Sequence, residues 1–322
     1  MARETILATG GLGRIFLHTS NPAGACGDGV AMAYRAGARC LNMQFVQFHP
    51  TTLFVGEERF LISESMRGEG ARLIDERGRE FMRDYHPDGS LAPRDVVARG
   101  IHQMMHETGA PCAFLDISHK SADWIRARFP RIHERCQEAG IDITAEPIPV
   151  VPAAHYSCGG VAVDEWGRSS LQRLRAVGEV SCTGLHGANR LASTSLLECL
   201  VWGTRAGQHA SLSIAEGGAY YLPAIDAWKH ETEAVDPALV AQDWLTIRQT
   251  MWNYVGLVRS RKRLDRAHQI LRELHLEIGR FYAQAELSDA LIGLRNGIQT
   301  ALVVLLAALE SRTSAGAHYR ID

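Results

Sequence analysis

Apolar positions cluster in short runs between glycine-rich turns over the first two thirds of the chain and recur at three- and four-residue steps over the last third. Thr5-Ile6-Leu7-Ala8-Thr9 is a β-competent run closed by Gly10-Gly11-Leu12-Gly13, a strand feeding a tight turn. Residues 30–37 follow Gly27-Asp28-Gly29 as an amphipathic helix whose small residues permit close packing, the order of an α/β nucleotide-binding unit. Between Gln44 and His155 the pattern changes. Strand-like pieces at 45–48, 72–75 and 113–116 alternate with a helix from Pro93 to about residue 108 and another over 121–139 that Pro130 breaks. This segment reads as an inserted α+β domain. The strand-and-turn pattern resumes at 159–164 and 174–179, followed by a long helix over 195–215. From about residue 238 the chain is helical: Trp244, Ile247, Met251, Val255 and Val258 share one stripe, Leu264, Ile270, Leu274 and Ile278 a second, and residues 288–310 form a third helix. Short connections make the three an antiparallel bundle.

Composition narrows the class. Hydrophobic residues at 46% and charged residues at 22% exclude disordered and low-complexity architectures. A net charge of -2 supplies no basic field for nucleic acid. Seven cysteines without a C-x-x-C pair fit a reducing, cytoplasmic setting. The longest uninterrupted apolar run, 301–309, is short of the roughly 20 residues of a membrane span. The opening Met1-Ala2-Arg3-Glu4 places an acid at once and leads into a strand, so no signal peptide is expected.

Candidate chemistry sits where the backbone bends: His49-Pro50-Thr51, Ser63-Glu64, Arg67-Gly68-Glu69-Gly70, Pro93-Arg94-Asp95, His155-Tyr156 and His186-Gly187-Ala188-Asn189-Arg190. Arginine donates two parallel hydrogen bonds to a carboxylate, so two arginines and two histidines in one pocket would suit a small dicarboxylate. The plain alternative is unrelated loop polarity. Helix capping accounts for Pro93 and Asp95 but not for Arg94, a cation at the end of the helix where cations are disfavoured. His102 and His106 share a helical spacing but lack an H-E-x-x-H glutamate and a third ligand, so no metal site is expected. The basic run Arg259 to Arg266 has no interleaved aromatics and reads as a solvated helix face. Gly11-Leu12-Gly13-Arg14-Ile15-Phe16 fails the G-x-G-x-x-G fingerprint at its last position, so turn glycines remain an alternative to a cofactor loop.

Taken in order, Ala8-Thr9-Gly10-Gly11, Gly27-Asp28-Gly29, Gln47-Phe48-His49-Pro50-Thr51, Arg67-Gly68-Glu69-Gly70, residues 94–99, His155-Tyr156 with Gly159-Gly160, and residues 186–191 resemble the succinate dehydrogenase, fumarate reductase and L-aspartate oxidase flavoprotein superfamily. The stretches 152–161 and 192–198 are similar to the L-aspartate oxidase branch, with Thr194 standing where asparagine is expected. The resemblance implies a partial Rossmann-like FAD-binding domain over 1–43 and 158–225, an α+β capping domain over 44–157 and a C-terminal three-helix bundle over 226–322. It implies Arg94 as the catalytic proton carrier, with His49, Ser63, Glu64, His155 and Arg190 binding substrate. Asp28, Glu179, Ser195 and Leu196 would contact non-covalent FAD. The implied reaction oxidises L-aspartate to iminoaspartate with oxygen or fumarate as acceptor. Quinolinate synthase would follow in NAD synthesis, and neither nucleic acid nor a membrane would be a partner. The superfamily's fingerprint lies upstream of Ala-Thr-Gly-Gly and is missing here, so weak FAD binding, or none, is expected. The alternatives are a fumarate reductase or succinate dehydrogenase flavoprotein subunit, or an inactive remnant serving as an interaction module.

Overall fold

The computed structural model describes residues 2–217, 224–226 and 234–322. In chain order its strands and α-helices are β1 (Thr5–Leu7), α1 (Asp28–Arg35), β2 (Cys40–Leu41), β3 (Val46–Leu53), α2 (Glu64–Gly68), β4 (Arg72–Ile74), α3 (Arg94–Thr108), β5 (Ala113–Asp116) and α4 (Ala122–Arg128). There follow α5 (Pro130–Glu138), β6 (Ile148–Ser157), β7 (Gly160–Ala162), β8 (Leu174–Ala176), β9 (Ser181–Cys182), α6 (Thr194–Glu216), α7 (Pro237–Val255), α8 (Arg261–Gln284) and α9 (Asp289–Glu310). These form two compact units, the first Met1–Leu17, Asn21–Gln47 and Tyr156–Asp322, the second His18–Ser20 and Phe48–His155.

In the first unit β1 pairs in parallel with β8, and a three-stranded sheet runs in the order β2-β7-β9. Helices α7 to α9 belong to this unit and pack on one another. Each starts on a side-chain cap: Asp236 accepts from the Ala238 amide at 2.8 Å, Ser260 from Arg263 at 3.4 Å and Ser288 from Leu291 at 3.3 Å. Ile247, Met251, Val255, Leu264, Leu274 and Ile278 of the two sequence stripes are buried, whereas Leu271 rather than Ile270 takes the inner position. Helix α9 corrects the expectation drawn from uninterrupted runs. Its 22 residues, with a mean hydropathy of 1.6 in the most apolar window, are long and apolar enough to cross a membrane. Its apolar positions are spread around Arg295 and Asn296, which hid it from a run count. Here it is a core helix packed on α7, α8 and α1, with Leu291, Leu294, Ile298 and Leu305 fully buried.

The basic run also needs correction. Arg261, Lys262 and Arg266 are exposed as expected, but Arg259 is wholly buried, because it precedes α8 and its backbone pairs with the C-terminal segment.

The second unit is built on a four-stranded sheet in the order β3-β6-β5-β4. Its core gathers Leu73, Phe81, Met82, Ile101, Leu115 and Ile148. Helix α3 turns Val97, Ile101 and Met104 inward at four- and three-residue steps, leaving Arg94 at its first turn. Pro130 separates α4 from α5 as expected, since it stands at the first position of α5 where its missing N–H is harmless. Strand β3 is longer than the sequence suggested and is buried at every position, polar residues included. Its Thr51 and Thr52 hydroxyls donate to the carbonyls of Ile62 at 2.9 Å and Val151 at 2.8 Å, which is how a central strand tolerates them.

Candidate functional site

Within the second unit five of the expected residues fall into two contacting groups. Ser63 caps α2 by accepting from the Ser65 amide at 3.2 Å, which brings Glu64 to the first helical position. The Glu64 carboxylate is shared: one oxygen accepts from Arg67 at 2.9 Å and the other pairs with Arg94. Arg67 is buried and donates onward to the Ser90 carbonyl at 2.7 Å. Burial draws its pKa down, while Glu64 opposes the shift. One carboxylate between two guanidinium groups leaves a net positive charge, suited to an anion. In the sequence Arg67 stands out only within the Arg67-Gly68-Glu69-Gly70 motif; its place three residues after Glu64 on a short helix is the signal for the pair.

The second group is His49 and His155, whose rings meet edge to face at 5.5 Å between centroids. His155 Nδ1 lies 2.8 Å from the Ser20 hydroxyl. His49 is buried, and that burial, with His155, Arg94 and Arg67 nearby, pushes its pKa down to about 3. His49 is therefore a neutral ring across the physiological range. Because the folded value lies below the ordinary 6.5, its contribution to stability is present above pH 6.5 and is lost as pH falls towards 3. Nuclear magnetic resonance of the ring should show a single titration near pH 3; a midpoint near 6.5 would refute the assignment.

In the first unit the loop after β9 and the start of α6 share a buried polar network. Glu198 on α6 accepts from His186 Nε2 at 2.8 Å, from the Tyr156 hydroxyl at 3.3 Å and from the Thr183 hydroxyl at 2.5 Å. Burial would raise the Glu198 pKa, but the His186 and Thr183 hydrogen bonds outweigh it and hold it below the ordinary value. The Arg190 guanidinium stacks 4.6 Å from the Tyr156 ring centroid and donates to Ser195 Oγ at 3.0 Å. Buried Gln47 donates to the Arg190 carbonyl and to Asn189 Oδ1, both at 2.7 Å. Neither Glu198 nor Gln47 was singled out as a site residue; an acid inside the apolar run Leu196-Leu197-Glu198 was the available clue.

The expected cofactor residues also lie in the first unit. Ser193 enters α6 with φ +67, and no side chain caps that helix. Thr194 uses its hydroxyl to donate to the Leu191 carbonyl at 2.7 Å. The Thr194 amide donates to the Leu191 carbonyl, and the uncapped amides that follow it in the first turn lie beside exposed Leu196 and Leu197, a surface suited to a flat apolar ring bearing carbonyl oxygens. Glu179 accepts from the Ser157 amide at 2.9 Å and lies so close to Gly11 that a Cβ there would sit 2.3 Å from its Oε1. Burial lifts its pKa to about 7, against the pull of Ser157, Arg190 and His186, so near neutrality it can donate or accept. Asp28 is the least available, since it accepts from Asn296 at 2.7 Å. Apart from Asp28, this donor set fits the ring and ribityl end of FAD.

The family model for an FAD binding domain matches residues 1–196, and that for the fumarate reductase flavoprotein C-terminus matches residues 245–322. The chain is 47% identical to the L-aspartate oxidase of Pseudomonas aeruginosa and 48% identical to that of Yersinia pestis, over 100% of its own length and 60% of theirs. The E. coli quinol fumarate reductase structure superposes with a TM-score of 0.87 at 30% identity, covering 100% of this chain and 60% of that one. The chain therefore spans about 60% of the length of the curated relatives it matches. With the FAD-binding model covering more than half its residues, the chain belongs to the FAD-binding flavoproteins of the succinate dehydrogenase and fumarate reductase superfamily.

Proposed function

We propose that the chain is part of an L-aspartate oxidase, which oxidises L-aspartate to iminoaspartate with oxygen or fumarate as final acceptor. The carrying observation is the Arg94–Glu64–Arg67 triad, a proton route ending on a guanidinium at the first turn of α3. Identity of 47% over the whole chain to a relative named as that oxidase supports the substrate. In this assignment 1–43 and 158–225 form the FAD-binding part, 44–157 the substrate-binding part and 226–322 the helical part. FAD, when bound, would supply the two-electron acceptor, with Glu179, Ser195 and the Leu196 amide holding its ring and ribityl end; Asp28, the fourth expected contact, is already engaged by Asn296.

Each chain residue then has a task. Arg94 exchanges a proton with the substrate; a guanidinium holds its proton tightly, so the exchange needs a path onward, which its partner Glu64 supplies. His49 stays neutral, so it donates or accepts a hydrogen bond to substrate without adding charge, and His155 stands beside it. Ser63 sets the position of Glu64. Arg190 supplies a bidentate grip on carboxylate. The product would pass to quinolinate synthase, and the seven free thiols suit a cytoplasmic site.

The test is anaerobic absorption spectroscopy of the FAD-loaded protein. L-Aspartate should bleach the flavin band and succinate should not. Bleaching by succinate alone would instead favour a fumarate reductase flavoprotein, the reading to which the TM-score of 0.87 lends weight. Failure to retain FAD would leave only an interaction module.

A further inference from the structure

Arg259 is a wholly buried cation whose pKa burial alone draws down to about 9. Such a group is costly unless its donors are used; three segments take up Nε and Nη1, while Nη2 is left without a partner among the described residues. Its Nε donates to the Val255 carbonyl at 2.9 Å and the Gly256 carbonyl at 3.1 Å, closing the end of α7. Its Nη1 donates to the Gln44 carbonyl at 2.8 Å and to His318 Nδ1 at 2.5 Å. His318 Nε2 in turn lies 3.1 Å from the Ser311 carbonyl, which fixes the proton on Nε2 and leaves Nδ1 free to accept. The main chain at Arg259 also pairs with the C-terminal segment, donating to Tyr319 and accepting from Ile321, each at 3.0 Å.

Two of the three segments fastened to this guanidinium, those of Gln44 and His318, grip the Arg190 loop. Three residues after Gln44, Gln47 holds Asn189 and the Arg190 carbonyl through its side-chain amide. One residue before His318, the Ala317 amide donates to the Ala188 carbonyl at 2.9 Å. Gly316 has φ +50, and a Cβ there would lie 2.4 Å from that same carbonyl oxygen, so only glycine lets the strap approach. We propose that Arg259 and the strap at residues 315–321 are a positioning device for Arg190, fixing the three-residue stretch 188–190 from two sides. This rests on the dicarboxylate role of Arg190 proposed above.

Arg259→Met should unfold the chain, so the informative variants are Gly316→Ala, His318→Leu and His318→Asn, whose amide oxygen can replace Nδ1 as acceptor. The readouts are hydrogen exchange at the Gly187 and Asn189 amides, which donate to Gly184 and His186 at 3.2 Å, and fumarate affinity by titration calorimetry. Gly316→Ala and His318→Leu should speed exchange at both amides about tenfold while α9 core amides keep their rates, and should weaken fumarate binding by a similar factor. His318→Asn should restore both. Unchanged exchange in Gly316→Ala overturns the device whatever the affinity. Faster exchange with unchanged fumarate affinity overturns its link to Arg190. If Arg190→Leu itself leaves fumarate affinity unchanged, the dicarboxylate role of Arg190 falls, and the proposal falls with it.

Discussion

Arg94→Leu should abolish turnover of L-aspartate by the FAD-loaded protein, lowering kcat by about 10²–10⁴-fold, the range of a lost general acid–base group. Flavin content should be unchanged, because the expected flavin residues lie in the first unit and Arg94 in the second. The side chain is only 15% exposed and its charge is paired with Glu64, so the loss is chemical and local. Arg94→Lys should recover only part of the rate, since an ammonium is a point charge that cannot reproduce the fork. Glu64→Gln should fall between wild type and Arg94→Leu: it keeps the hydrogen-bonding shape but removes the charge shared by Arg67 and Arg94. Stopped-flow reduction of the flavin by L-aspartate measures the step directly. A kcat within threefold of wild type in Arg94→Leu would remove Arg94 from the proton route.

The elements were legible wherever local chemistry decides them. Pro93 and Gly109 bracket α3, Pro130 splits α4 from α5, and the caps Asp236, Ser260 and Ser288 open the last three helices. The site residues were legible as chemical types beside turns, but their pairing was not. Nothing local says that Glu64 reaches Arg94, 30 positions away, or that Gln47 reaches Arg190 across 143. Arg259 was misread for the same reason. A basic run looks solvated until a segment 59 residues later closes over its first member. Helix α9 was underrated because burial follows the periodic face, which a count of consecutive apolar residues ignores.

Glu198→Ala should destabilise the first unit by about 3–5 kcal/mol, the cost of stripping a buried charge from its hydrogen-bonded partners. Glu198 is 2% exposed, and its two oxygens serve three donors: the Thr183 hydroxyl, His186 Nε2 and the Tyr156 hydroxyl. Removing the carboxylate leaves these donors only the 3.1 Å Tyr156–His186 contact, in a space too enclosed for water to replace every bond, and each group left unsatisfied costs about 1–3 kcal/mol of desolvation. Glu198→Gln should cost less, because one oxygen still accepts, but its amide group would face a donor. The contrasting control is Glu138→Ala, which breaks an ion pair of the same 2.8 Å length with Arg135 on the surface. Solvent and salt already screen that pair, and no change in the unfolding midpoint is expected. Urea unfolding of the three variants decides between them. If Glu198→Ala shifted the midpoint no more than Glu138→Ala, the network would carry no stability. The Tyr156 platform beneath Arg190 would then owe its position to packing alone.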